Sequence, residues 1–137
     1  MKYFIISVLS VLVTFSGCSA LKSENVPLKL SGPQWKLTAI AHKNVIVNDR
    51  AYLVFDDEEL EVKGKAFCNS ITAEYALMGD NQLTFEAITS TKMFCDGIMD
   101  LENQMVTNME SVKHYEIRNG KLYLSSSSGE VLLTFKK

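Results

Sequence analysis

The chain has 137 residues, with 14 Lys and Arg against 16 Asp and Glu, a formal charge of −2 and three cysteines. That length allows one small domain with a single core. The slight acidity, and the lack of a basic stripe interleaved with aromatics, argue against nucleic acid as a partner.

The N-terminus reads MKYFIISVLSVLVTFSGCSA. Lys2 precedes an apolar run from Tyr3 to Phe15 that ends in Ser16-Gly17-Cys18. A charged start, a short apolar stretch and small residues make a secretory signal. The run is shorter than the roughly 20 apolar residues a spanning helix requires. The small residues before Cys18 resemble the lipobox of bacterial lipoproteins, although Phe15 stands where that motif usually carries Leu or another aliphatic residue. The resemblance implies removal of residues 1–17 and diacylglyceryl attachment to the Cys18 sulfur. The competing reading is an ordinary signal peptide with an incidental cysteine. Ser19 follows instead of the Asp that retains many such proteins at the inner membrane, so the expected place is the outer membrane, facing the periplasm. Loss of the leader removes Lys2 and leaves 13 basic against 16 acidic residues, a net −3.

Residues 18–33, rich in Ser, Asn, Gly and Pro, read as a lipidated tether. About 15 flexible residues would span roughly 20 Å root-mean-square. From residue 34 to 137 the chain reads as one domain. The runs WKLTAIA, AYLVFD, LEVKGKAF, ITAEYAL and QLTFEAI alternate with a period of two, and Asn48-Asp49, Asp56-Asp57 and Gly79-Asp80-Asn81 supply turns. The segment CDGIMDLENQMVTNMESV breaks that rhythm: Ile98, Leu101, Met105, Met109 and Val112 fall on one helical face. Asp96 is the expected N-cap, and Asp100 and Glu102 suit the dipole of the first turn. HYEIR, KLYLS and EVLLTFKK then form a meander, joined by Asn119-Gly120 in a type I′ turn and by a weaker turn at Ser128-Gly129. The expected fold is α+β: a small curled antiparallel sheet, or partial barrel, around one main helix.

With Cys18 assigned to lipid, Cys68 and Cys95 remain as an even pair in an oxidising compartment. A structural disulfide is the leading reading, beside two free buried thiols and a reactive or metal-bound cysteine. Closing a loop of about 28 residues would stabilise the fold by roughly 3.5 kcal/mol. His42 and His114 lie far from both cysteines in sequence, and there is no Cys-x-x-Cys. Met93, Met99, Met105 and Met109 cluster around the helix, where thioethers could hold Cu(I), but core packing is the default. Asp56-Asp57-Glu58-Glu59 lacks the spacing of a calcium loop and reads as a solvated turn.

The same residues carry a resemblance to the META/HslJ family of bacterial envelope lipoproteins. Trp35 and Leu37, Phe55, Gly64 with Cys68 and Asn69, Tyr75, the run STKMFC, Glu102 and the closing pattern of Tyr115, Ile117, Leu122, Leu124, Leu133 and Phe135 match it in order. Phe67 departs, standing where the family usually has glycine, which implies a reshaped turn. The resemblance implies a β-rich domain with one helix, similar in outline to the lipoproteins that pilot secretins. It carries no established catalytic residues, and the family is associated with heat shock and envelope stress. Asn69 and Thr91 are then candidates for a structural or binding turn beside the bridge. The expectation is a noncatalytic protein without cofactor or metal, anchored through Cys18 and binding an envelope component. The alternatives are a small-molecule or copper sensor and an enzyme with a site inside the curled sheet.

Overall fold

The computed structural model describes residues 29–46 and 49–137. Nine strands and one helix follow in chain order: β1 (Gln34–Ile40), β2 (Lys43–Asn44), β3 (Ala51–Asp56), β4 (Glu61–Ala66), β5 (Asn69–Met78), β6 (Gln82–Ser90), α1 (Met99–Glu110), β7 (His114–Arg118), β8 (Lys121–Ser125) and β9 (Val131–Lys136). Alternation places Trp35, Leu37, Leu53, Phe55, Leu83 and Phe85 on the inner face of their strands, and their neighbours outward. The sheet runs β2-β1-β3-β4-β5-β6-β7-β8-β9, all neighbours antiparallel, and β1 also pairs with β9. The sheet therefore curls onto itself. Closure is weak at one seam, where β6 and β7 share only the Gln82–His114 pair. The expected α+β fold with a curled antiparallel sheet is the observed one.

α1 packs across the curl against β6, β9, β1 and β4. Met105, Met109 and Val112, from its predicted apolar face, are fully buried with Trp35, Leu53, Leu124 and Phe135. The Phe55 ring meets Tyr75 edge-on at 5.2 Å, and the Tyr75 hydroxyl donates to the Asp56 carbonyl at 3.0 Å. Asn119 and Gly120 have φ of 52° and 72°, as a type I′ hairpin requires.

Two local readings change. The helix does not start at Asp96: Ile98 occupies the N-cap position and no side chain caps it. Gly97, at φ 78°, turns the chain between Asp96 and the helix, which takes the Asp96 carboxylate out of capping position. Leu30, inside the segment read as tether, is buried in the core, and its carbonyl accepts a hydrogen bond from Trp35 Nε1 at 2.8 Å. A buried indole needs such a partner, so the packed domain reaches back past its expected boundary at residue 34. The two-residue link between β4 and β5 puts Phe67 at φ 59°, a conformation that suits glycine, while its side chain is buried.

Register fixes which end of the sheet is which. Gln34 opposite Val54 and Asp56 opposite Glu61 mark the end where the chain enters from Lys29. Ala66 opposite Asn69 and Ile71 opposite Ser90 put the Phe67-Cys68 turn and the exit of β6 at the other end. Gly64 in β4 lies against β3 so closely that a Cβ there would sit 2.0 Å from the Tyr52 carbonyl oxygen. Only glycine permits that approach.

Candidate functional site

At the far end from the chain entry, four segments converge: the Phe67-Cys68 turn, the first residue of β5, the strap from Thr91 to Cys95, and the first turn of α1. Cys68 and Cys95 are joined in a disulfide with their Cα atoms 5.9 Å apart. The bridge ties the strap to the turn covalently, across 27 positions of sequence.

Beside it, Asn69 is buried and uses all of its amide. Its Oδ1 accepts from the Met93 N–H at 2.7 Å and from Thr91 Oγ1 at 2.8 Å. Its Nδ2 donates to the Met93 carbonyl at 3.0 Å and to Glu102 Oε1 at 2.6 Å. Thr91 Oγ1 in turn accepts from the Ser70 N–H at 3.1 Å. Asn69 and Thr91, the two residues singled out from sequence, thus meet, and each holds backbone of the neighbouring segment.

Glu102 completes the set. It is 5% exposed, and its Oε2 accepts the backbone N–H groups of Cys68 at 3.1 Å and Asn69 at 2.9 Å. The helix therefore supplies an acceptor for the two amides of a turn that strand pairing cannot satisfy. Sequence reading gave Glu102 a place in the first helical turn and missed this role. The signal was present: residue 102 lies four after Ile98 and three before Met105, within the apolar stripe, where a solvated carboxylate does not belong.

What this arrangement can do chemically follows from its saturation. Both Glu102 oxygens and all four amide positions of Asn69 are engaged inside the protein. Among the described residues no buried side-chain nitrogen or oxygen lacks a partner. The constellation has no free base or nucleophile, because both sulfurs are in the bridge. It works as a brace.

The other candidates stay apart. Met105 and Met109 point into the core and are fully buried, while Met99 Sδ accepts the Cys95 N–H at 3.5 Å. No group of three or more His, Cys, Asp or Glu able to hold a metal ion occurs among the described residues. Asp56 Oδ1 accepts the N–H groups of Glu58 and Glu59 at 3.0 and 3.2 Å, which is turn chemistry. His114 Nδ1 lies 3.3 Å from the Ser126 carbonyl, away from the bridge. Cys18 lies outside the described residues, as do the leader and most of the segment read as tether.

Surface clefts lie among the described residues. One of about 500 Å³ is lined by Glu59, Glu61, Glu74, Tyr75 and Glu86. Burial pushes the Tyr75 phenol above its usual range, with a further push from Asp57 and Asp56. A second, of about 490 Å³, lies beside Lys29, Gly32 and the Asp56-Asp57-Glu58 turn at the entry end. The third, of about 350 Å³, is mostly apolar and lies at the bridge end, between the turn after β2, Phe67 and the start of α1.

Comparison with known proteins agrees with this architecture. The META domain family matches residues 28–137. The chain is similar to a protein solved by NMR (19% identity, TM-score 0.58, covering 75% of this chain and 86% of that one). It is also similar to a protein from Burkholderia xenovorans solved by NMR (20% identity, TM-score 0.57, covering 78% and 82%). At that identity the likeness speaks for the fold alone. No relative is found among curated proteins.

Proposed function

The chain belongs to the META domain family, and on that footing we propose that it is a noncatalytic lipoprotein of the bacterial envelope. In this reading it is held at the outer membrane by acyl chains on Cys18. It supports envelope integrity under stress by binding another envelope component through its surface. One observation carries the noncatalytic part: the buried polar residues that could have formed a site, Glu102, Asn69 and Thr91, spend their hydrogen-bonding capacity on each other and on backbone. The core of the curled sheet is filled by large side chains, including Trp35, Phe135 and Met105, where an enzyme or carrier would need a cavity with convergent polar groups. The bridge accords with an oxidising compartment, and the small residues before Cys18 supply the anchoring signal.

Two or more buried acyl chains anchor stably, at about 0.8 kcal/mol per CH₂. Fractionation of cells carrying the wild-type chain or Cys18→Ser tests the anchor. The wild type should sediment with outer membrane, and the variant should lose acylation. A variant that retains label from a radioactive fatty acid, or a wild type that takes up none, would refute it.

A further inference from the structure

We propose that the bridge end of the sheet is a self-association face, on which two copies of this chain meet about a two-fold axis. Phe94 of each copy would sit in the apolar groove of the other.

A two-fold contact requires one surface to carry both a projection and the hollow that receives it. This end carries both. Phe94 is 79% exposed and Met93 beside it 55%, an unusual placement for two adjacent large apolar side chains. They are held rigidly: the Met93 N–H and carbonyl are both bonded to Asn69, and Cys95 is fixed in the bridge. The strap thus presents Phe94 with little backbone entropy left to lose on association. The hollow is the groove of about 350 Å³ lined by Val45, Ile46, Phe67, Ile98 and Leu101, with Asn44 and Arg50 as its polar members. Ile46 on its wall is 86% exposed. Projection and groove adjoin, because Phe67 precedes one bridged cysteine and Phe94 precedes the other.

Charge follows the same two-fold logic. Lys92 lies two residues before the projection, while Asp96 and Asp100 lie beside Ile98 and Leu101 at the groove, which Arg50 also lines. Lys92, Asp96 and Asp100 are exposed. Pairing brings Lys92 of one copy toward the aspartates of the other, twice.

Area sets the expected strength. One aromatic buries about 150–250 Å². With Ile46 and Met93, the total over two copies is on the order of 1,000 Å², the low end for a specific interface. The dimer is therefore weak and reversible. The described chain enters at the opposite end of the sheet from this face. Membrane anchoring would raise the local concentration of copies, but the pairing does not rest on it.

The test is photo-crosslinking in cells of the full chain carrying benzoylphenylalanine at position 94. The expected product is a dimer-sized adduct whose linked peptide contains Ile46 or Ile98 and Leu101. The same probe at Leu77, towards the entry end, should give none. Lys92→Glu should lower adduct yield about fivefold, and adding Asp100→Lys should restore it to within twofold. A dimer adduct in the Cys18→Ser background as well would show pairing without the anchor. Adducts only to other polypeptides, no adduct at all, or a yield indifferent to Lys92→Glu would overturn the proposal. Purified Phe94→Asp, with its wild-type melting temperature retained, should sediment as monomer at concentrations where the wild type dimerises. A dimer that survives this change would equally overturn it.

Discussion

Replacing Glu102 by Ala tests the brace most sharply. The carboxylate accepts from the Cys68 N–H, the Asn69 N–H and Asn69 Nδ2, all in a buried setting. Removing it leaves two backbone donors and one amide donor without partners. An unsatisfied buried donor costs about 1–3 kcal/mol. With partial relaxation, the sum is about 3–5 kcal/mol. A domain of this size has a total stability of only about 5–15 kcal/mol. At roughly 4 °C per kcal/mol for a domain of about 110 residues, the melting temperature should fall by about 12–20 °C. Glu102→Gln should lie between: one oxygen still accepts the backbone donors, but the new NH₂ faces Asn69 Nδ2, donor against donor. The assay is thermal unfolding followed by circular dichroism, with the bridge kept oxidised. A fall below about 4 °C for the Ala variant, or a Gln variant worse than Ala, would refute the assignment of Glu102 as the turn's acceptor.

Three further outcomes are expected. Reducing the Cys68–Cys95 bridge should lower stability by roughly 3.5 kcal/mol on chain-entropy grounds. Yet the Met93 amide should remain protected from hydrogen exchange, because Asn69 still holds it. At Phe67, with φ 59°, Ala loses the buried ring and keeps the backbone strain, whereas Gly loses the ring and relieves the strain. Phe67→Gly should therefore be more stable than Phe67→Ala by about 1–2 kcal/mol in denaturant titration, reversing the usual order of those two residues. Tyr75 has a raised pKa in the folded state, so its contribution is intact below pH 10.0 and is lost as pH rises through the folded value. Melting temperature should drop more steeply above that pH for wild type than for Tyr75→Phe.

Much of this fold was legible because its signals are periodic. Alternation in AYLVFD and QLTFEAI gave strands β3 and β6, and the 98-101-105-109-112 series gave the helix, with its buried Met105 and Met109 and its half-buried Leu101. Asn119-Gly120 gave its hairpin because few residues tolerate two successive positive φ angles. What was missed depends on tertiary contacts. β2 spans only Lys43–Asn44 and exists by pairing with the end of β1, so no period announces it. The pairing of β1 with β9 joins distant parts of the chain and leaves no local mark. Glu102 was placed on the right element yet not in the site, because its value lies in two amides of a turn 33 and 34 positions away. Leu30 looked like linker beside Pro27 and Gly32, and only the indole N–H of Trp35 shows why it is packed.

Intact-mass spectrometry of the protein extracted from membranes tests the proposed anchor at Cys18 and the Cys68–Cys95 bridge at once. The expected mass is that of a chain beginning at Cys18, heavier by its acyl groups and lighter by the two hydrogens lost in joining Cys68 to Cys95. A mass that retains residues 1–17, carries no lipid, or shows two free thiols would contradict it.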